Sequence, residues 1–392
     1  MCILRGAPVR CLLWISLVAL LPSSVVQCHH MDRIAPRKLE KRQKGNQTPL
    51  IVTNYCPDTI YPGIVTQSGD GPQNTGFELQ SGDSQNQTVS EDWQGRVWGR
   101  TNCSFNSQGT APANNSPGKA CGTGDCGGVV GCKGTVIQGE VPVTLAEFTL
   151  DAGDGQTYYD ISLVDGYNIP LAVVLQPLGN SSFDEIPPNL TNPSCVGTAG
   201  LLASQNFNAY NNGDFLGTNS SNPLPFDTNV TDSDIANWCP WDLQVNAPSG
   251  PSNGVYTYPD TTVQRPDFDP CYSACAKYND DADCCTGSHG SPDSCQPSDY
   301  SKAAKSICPD AYSYAFDDQT STFIIPAGAG FQVIFCPGGR STTILSSESN
   351  QLSQLQNTGH VNAVDFIKWQ KQARISMMFD IQKKHLFQAP VS

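Results

Sequence analysis

Positive charge is scarce through the middle of this chain. Residues 46–337 carry 8 Lys/Arg against 31 Asp/Glu, a net of −23, while the full 392 residues stand at −14 because basic residues gather at the ends. Such a surface repels nucleic acid and anionic lipid and leaves neutral or cationic partners open. Histidine is almost as scarce. Of five, only His289 lies within the cysteine-bearing stretch 56–336. That excludes the usual mixed Cys/His zinc pattern and shows no nucleophile–histidine arrangement. Charged residues make up only 15% of the chain and apolar ones 38%. No segment reaches the ~20 apolar residues that a membrane helix needs. Long helices are excluded by 35 Gly and 29 Pro, and no glycine period of three suggests collagen.

What is abundant is cysteine, and its context points to secretion. Arg5 and Arg10 precede an apolar run from Cys11 to Leu21, then Pro22 and two serines. This is the layout of a signal peptide over residues 1–28. Residues 29–42 end in Lys41-Arg42 and read as a propeptide cut at a dibasic site. Sequons open at Asn46, Asn86, Asn102, Asn114, Asn180, Asn189, Asn219 and Asn229. All but Asn102, whose middle residue is Cys103, are expected to accept glycans. Beyond the signal region 14 cysteines remain, an even number as full pairing requires. In an oxidising compartment disulfides are expected rather than metal. The tail 338–392 has no cysteine and reads as disordered or weakly helical, with an amphipathic pattern over Val361–Phe387.

The periodicity between these ends is mainly that of strands. Leu50–Asn54 is apolar and β-branched, and Arg96–Arg100 alternates. Thr144–Leu150 sets Ala146 and Phe148 on one face and Leu145, Glu147 and Thr149 on the other. Tyr158–Val164 groups Tyr159, Ile161 and Leu163. Leu171–Leu175 is a continuous apolar run, and Phe331, Val333 and Phe335 alternate. Ser298–Cys308 reads as a short helix with a polar cap, stopped before Pro309. The pattern is a β-sandwich with disulfide-tied excursions.

Several phrases carry more than periodicity. They are Gly95-Arg96-Val97-Trp98-Gly99-Arg100-Thr101-Asn102-Cys103, Cys121-Gly-Thr-Gly-Asp-Cys-Gly-Gly, Thr144-Leu-Ala-Glu-Phe-Thr-Leu150 and Tyr159-Asp-Ile-Ser-Leu-Val-Asp-Gly-Tyr-Asn168. Cys284-Cys-Thr-Gly287, Cys308-Pro-Asp-Ala-Tyr-Ser-Tyr314 and Asp317-Asp-Gln-Thr-Ser-Thr-Phe323 follow. In this order, over roughly 48–337, the chain resembles the thaumatin-like family. The resemblance implies a mainly β fold, a flattened sandwich with a small disulfide subdomain at about 100–140. A larger, disulfide-rich subdomain with short helices is implied at about 180–308, and an acidic cleft beside it. It implies the pairs Cys56–Cys336, Cys103–Cys121, Cys126–Cys132, Cys239–Cys271, Cys275–Cys284 and Cys285–Cys295. Two cysteines of the family pattern are missing, at Ile325 and near Leu201. A compensating Cys195–Cys308 bridge accounts for the two left over. The stretch Ala203–Trp238 is longer than the family's connection and reads as disordered decoration.

The same matching places the family's cleft residues at Arg96, Glu147, Asp160, Asp165 and Asp318. Clustered carboxylates suit glycoside hydrolysis, where one must hold a proton for the leaving oxygen and another must stay ionised. The resemblance thus implies Glu147 as general acid and Asp165 as general base, with Arg96, Asp160 and Asp318 in substrate binding. Tyr167, Tyr312, Tyr314 and Phe316 lie beside these motifs; any one of them reads first as a core residue, and Tyr167 is the candidate to stack on a sugar ring. The expected partner is β-1,3-glucan or another cell-wall polysaccharide, met by a secreted monomer without cofactor or metal. Hydrolysis, in wall remodelling or antifungal defence, and non-catalytic binding both stay open.

Overall fold

Burial follows the alternation read from the sequence. The computed structural model describes residues 47–113, 118–132, 139–178, 183, 186–198, 225–227, 230–246 and 270–361. The segments read as signal peptide and propeptide lie outside them, as do Asn46, Asn114, Asn180, Asn219, Asn229, most of the 203–238 stretch, and the helix expected after Val361.

Ten strands form two five-stranded sheets. The first sheet runs β3 (Ser84–Ser90), β1 (Gln47–Asn54), β10 (Gly330–Phe335), β7 (Leu171–Gln176) and β8 (Ser194–Cys195). The second runs β2 (Tyr61–Ser68), β4 (Gln94–Arg100), β5 (Leu145–Thr149), β6 (Gln156–Ser162) and β9 (Phe323–Pro326). Only β1 and β10 pair in parallel; the other named pairs are antiparallel. In the first sheet Phe331, Val333 and Phe335 pair with Leu175, Val173 and Leu171. In the second, Val97, Ala146 and Ile161 form one row and Phe148 and Tyr159 another. All of these lie in one buried core. Residues directly paired across strands share a face, so the two inner faces interlock. Phe331 reaches Phe148 and Tyr159 at ring distances of 5.1 and 5.0 Å. Each such contact contributes about 0.5–1.5 kcal/mol beyond area burial.

Seven disulfides tie the excursions: Cys56–Cys336, Cys103–Cys121, Cys126–Cys132, Cys195–Cys308, Cys239–Cys271, Cys275–Cys284 and Cys285–Cys295. The excursion around 100–140 covers part of the second sheet's outer face. There Trp98 and Leu145 pack with Val65, Val143, Cys126 and Cys132 in a separate apolar cluster. The larger excursion holds short helices α1 (Asp232–Asn237), α2 (Ala274–Tyr278), α3 (Asp281–Cys284) and α4 (Asp299–Ile307). Ser298 caps α4 by accepting from the backbone N–H of Ser301, and Cys308 follows its last turn. Among the described residues no helix is long and apolar enough to cross a membrane.

The start of the tail, expected to be disordered or weakly helical, is helical and packed on the sandwich. Residues 338–361 carry α5 (Ile344–Ser347) and α6 (Ser349–Thr358), and α6 packs against β9. Ile344 and Leu355 are fully buried in the core, and Leu352 joins them. The buried carboxylate of Asp310 accepts from the backbone N–H of Ile344 and of Leu345, at 2.8 and 2.9 Å. Three apolar side chains spaced among Ser, Asn and Gln are enough once an edge strand offers them a partner. One sequon is also corrected. Asn189 is 1% exposed in a single 3-10 turn and leaves no room for a glycan, whereas Asn86 is exposed on edge strand β3.

Candidate functional site

The site begins with strand register. Arg96 on β4 pairs with Glu147 on β5, and Glu147 pairs with Asp160 on β6. The three side chains therefore stand in one row on the outer face of the second sheet, with Val97, Ala146 and Ile161 pointing into the core. Arg96 Nε and Glu147 Oε1 form an ion pair whose side chains are each 8% exposed. Asp160 is half-buried. Its Oδ1 is buried and has no hydrogen-bond partner among the described residues.

Asp165 reaches the row from a turn. β6 ends at Ser162, and the N–H of Gly166 donates to the carbonyl of Leu163. Gly166 has φ 102°, and a Cβ there would stand 2.5 Å from the Cys271 carbonyl oxygen, so only glycine fits. The Tyr300 phenol on α4 donates to the Leu163 carbonyl at 2.7 Å and holds the turn from the other side. Asp165, half-buried, thus lies just past the strand, within electrostatic reach of Arg96 and Glu147.

Asp318 forms the exposed edge. The segment that carries it is fastened to β6, where Tyr312 N donates to the Ile161 carbonyl and the Leu163 N–H to the Tyr312 carbonyl, both at 2.8 Å. The Tyr312 phenol donates to Asp318 Oδ1 at 3.0 Å. Lys305 on α4 braces the same segment through the carbonyls of Ala311 and Thr320, the Ser321 hydroxyl and Asp317. Tyr300, Tyr312 and Lys305 were not legible as site supports. Nothing in their spacing reveals which turn they would hold.

Burial and like charge act together here. Burial pushes the Asp160 carboxyl well above its ordinary range; Glu147 and Asp318 add to this and Arg96 opposes it. Burial raises Asp165 to about 6, with Arg96 opposing and Glu147 adding. The group runs from a buried ion pair to an open rim, and two of its carboxyls favour protonation. That range of proton affinities is what acid–base chemistry on a neutral substrate uses.

The structure brings Arg96, Glu147, Asp160, Asp165 and Asp318 to one region. Tyr167 does not join them, and its expected sugar-stacking role is corrected. It is fully buried, edge-on to Trp238 at 5.6 Å, and its hydroxyl accepts from the Gly197 N–H at 3.0 Å. Its side chain belongs to the packing of the larger excursion on the sandwich. Among the described residues no group of three or more His, Cys, Asp or Glu is arranged to hold a metal ion.

Comparison with known proteins places this geometry in context. The model of the Thaumatin family matches residues 54–337. Thaumatin-like protein 1 of Pyrus pyrifolia is 36% identical over 288 residues, covering 73% of this chain and 89% of that protein. Pathogenesis-related protein 5 of Arabidopsis thaliana is 35% identical over 292 residues, covering 74% and 90%. Among solved structures, a thaumatin-like xylanase inhibitor is 32% identical over a match covering 32% of this chain and 76% of that chain, with a TM-score of 0.26.

Proposed function

From the premise that the chain belongs to the thaumatin family, we propose that its acidic site binds β-1,3-glucan and hydrolyses it outside the cell, in wall remodelling or antifungal defence. The observation that carries this reading is the row Arg96–Glu147–Asp160 with Asp165 beside it. Seven disulfides fit an oxidising, extracellular setting.

The ion pair with Arg96 favours Glu147 as the ionised member. Asp165, raised to about 6 by burial, holds a proton in mildly acid medium. This reverses the roles expected from the sequence. Asp165 would protonate the glycosidic oxygen as its bond to the sugar carbon breaks. Glu147 would stabilise the positive charge left on that carbon or activate the attacking water. Arg96, Asp160 and Asp318 shape the field around the sugar.

Non-catalytic glucan binding is the alternative. The engagement of Glu147 by Arg96 is what favours it. The test is reducing-sugar release from a soluble linear β-1,3-glucan at about pH 5, where a group titrating near 6 is still protonated. The parent should release sugar, and Asp165→Asn and Glu147→Gln should lower the rate by about 10²–10⁴-fold. Retention of glucan by parent and variants, with no release by any, overturns hydrolysis and leaves binding. Neither release nor retention by the parent overturns both.

A further inference from the structure

The row on the outer face sets one guanidinium against two carboxyl groups. Register places Glu147 between Arg96 and Asp160, on the same face of adjacent strands. The guanidinium is engaged by Glu147. Asp160 forms no ion pair among the described residues, and its Oδ1 is enclosed without a donor. The groups that face it from the neighbouring elements supply little compensation. These are Glu147 from β5, Arg96 from β4 beyond it, and Asp318 and the Tyr312 phenol from the segment fastened to β6.

An ionised carboxylate with an unsolvated oxygen is costly, and more so beside like charge. Two carboxyls that share one cation ionise in sequence rather than together. The cation touches Glu147, so it is the charge on Glu147 that is compensated. We propose that Asp160 stands as the neutral acid at neutral pH while Glu147 stands as the carboxylate, so that one proton held at Asp160 sets the charge of the whole row. Asp160 is then a positioning residue. It keeps negative charge concentrated at Glu147 and spares the site a second buried anion. Burial acts in the same direction on Asp160, with Glu147 and Asp318 adding to it. The consequence for turnover rests on the function proposed above; the location of the proton does not.

The experiment is infrared difference spectroscopy of the mature secreted protein at neutral pH, reading the carbonyl stretch of protonated carboxyl groups. Read across pH, Asp160→Asn should remove one such band, whereas Glu147→Gln, which takes away a negative neighbour and frees Arg96, should keep a band that titrates at lower pH. Loss of the band in Glu147→Gln with retention in Asp160→Asn, or retention in both, overturns the proposal. A second reading guards against a misfolded variant. Asp318→Asn, on an exposed turn, removes a negative neighbour and should move the band's titration to lower pH. An unmoved titration also overturns the proposal. Glucan release and retention are measured on the same samples. If the band behaves as expected while the parent ignores glucan, the proton assignment stands and the functional reading falls.

Discussion

Two arginines four residues apart on β4, on the same face of the strand, meet opposite circumstances. Arg100, fully buried, donates to the carbonyls of Tyr61 (2.8 Å), Val129 (2.8 Å), Pro62 (3.0 Å) and Val130 (2.5 Å). Nearby Asp125, also buried, accepts from the N–H groups of Ala120, Cys121 and Gly128. Every nitrogen of that guanidinium and both carboxylate oxygens of Asp125 have a partner, and the product is a pinned loop. Arg96 instead faces an excess of carboxyl groups, one of which keeps an oxygen without a donor. The same strand thus carries a saturated network and an unsaturated one. Saturation serves stability, because a buried polar group left alone is expensive. Incomplete satisfaction, at the row that continues to an exposed rim, leaves capacity for a ligand to fill.

The comparison breaks first at Arg100. Arg100→Met leaves one buried and three partly buried carbonyls without their donor and Asp125 without its nearby cation. The expected loss is about 3–5 kcal/mol of unfolding free energy. Urea denaturation with disulfides intact measures it. A loss below about 1 kcal/mol would mean that saturation contributes little and that the contrast with Arg96 is only apparent.

A second effect sharpens the contrast through pH. Asp165 is raised to about 6 in the fold, mainly by burial. The unfolded chain releases that proton near pH 4, so between about 4 and 6 the native state binds more protons and stability falls as pH rises. The loss is complete above the folded value and amounts to about 3 kcal/mol at most, from about 1.4 kcal/mol per pH unit. Denaturation midpoints of the parent and Asp165→Asn, compared from pH 4 to 7, should differ by a slope present only in the parent. Parallel profiles would place Asp165 in a solvated position and remove it from the unsaturated group.

Much of this arrangement was legible in the sequence, for identifiable reasons. The two faces of β5 were readable because Ala146 and Phe148 alternate with Leu145, Glu147 and Thr149. Asp165 had to lie past the end of β6, since its parity differs from that of Asp160. Six of the seven disulfides are those the family pattern implies, and the seventh is the compensating Cys195–Cys308 bridge read from the two cysteines left over. The register that sets Arg96, Glu147 and Asp160 in one row was not readable from alternation alone, because each strand fixes parity but not offset. β3 was missed because an edge strand facing solvent needs few apolar residues, and Ser84–Ser90 has only Val89. β2 was missed because Pro62 and Gly63 look like a turn. Tyr167 misled because a ring packed in a core and a ring offered to a sugar have the same sequence neighbours. In the tail, helix was read over Val361–Phe387 and not over 344–358, because Ile344, Leu352 and Leu355 are too few to signal one without the partner strand β9.

The smallest effect tests the comparison most directly, by making one isosteric change in both networks. Asp125→Asn places an amide where three backbone N–H groups converge on a carboxylate. It removes a charge that those donors solvate and turns an acceptor into a donor. The expected loss is about 1.5–3 kcal/mol. Asp160→Asn makes the same exchange where no donor waits on Oδ1 and two carboxyls crowd the group. Stability there should be unchanged or raised by up to about 2 kcal/mol, because the amide removes the cost of taking up a proton on folding. Thermal and urea denaturation of the two variants side by side gives the sign. Opposite signs would show that the two buried aspartates differ by the donors around them rather than by burial. Equal losses would mean that Asp160 is an anion held by the fold, and the division between a stabilising network and an unsaturated site would fail at the residue that defines it.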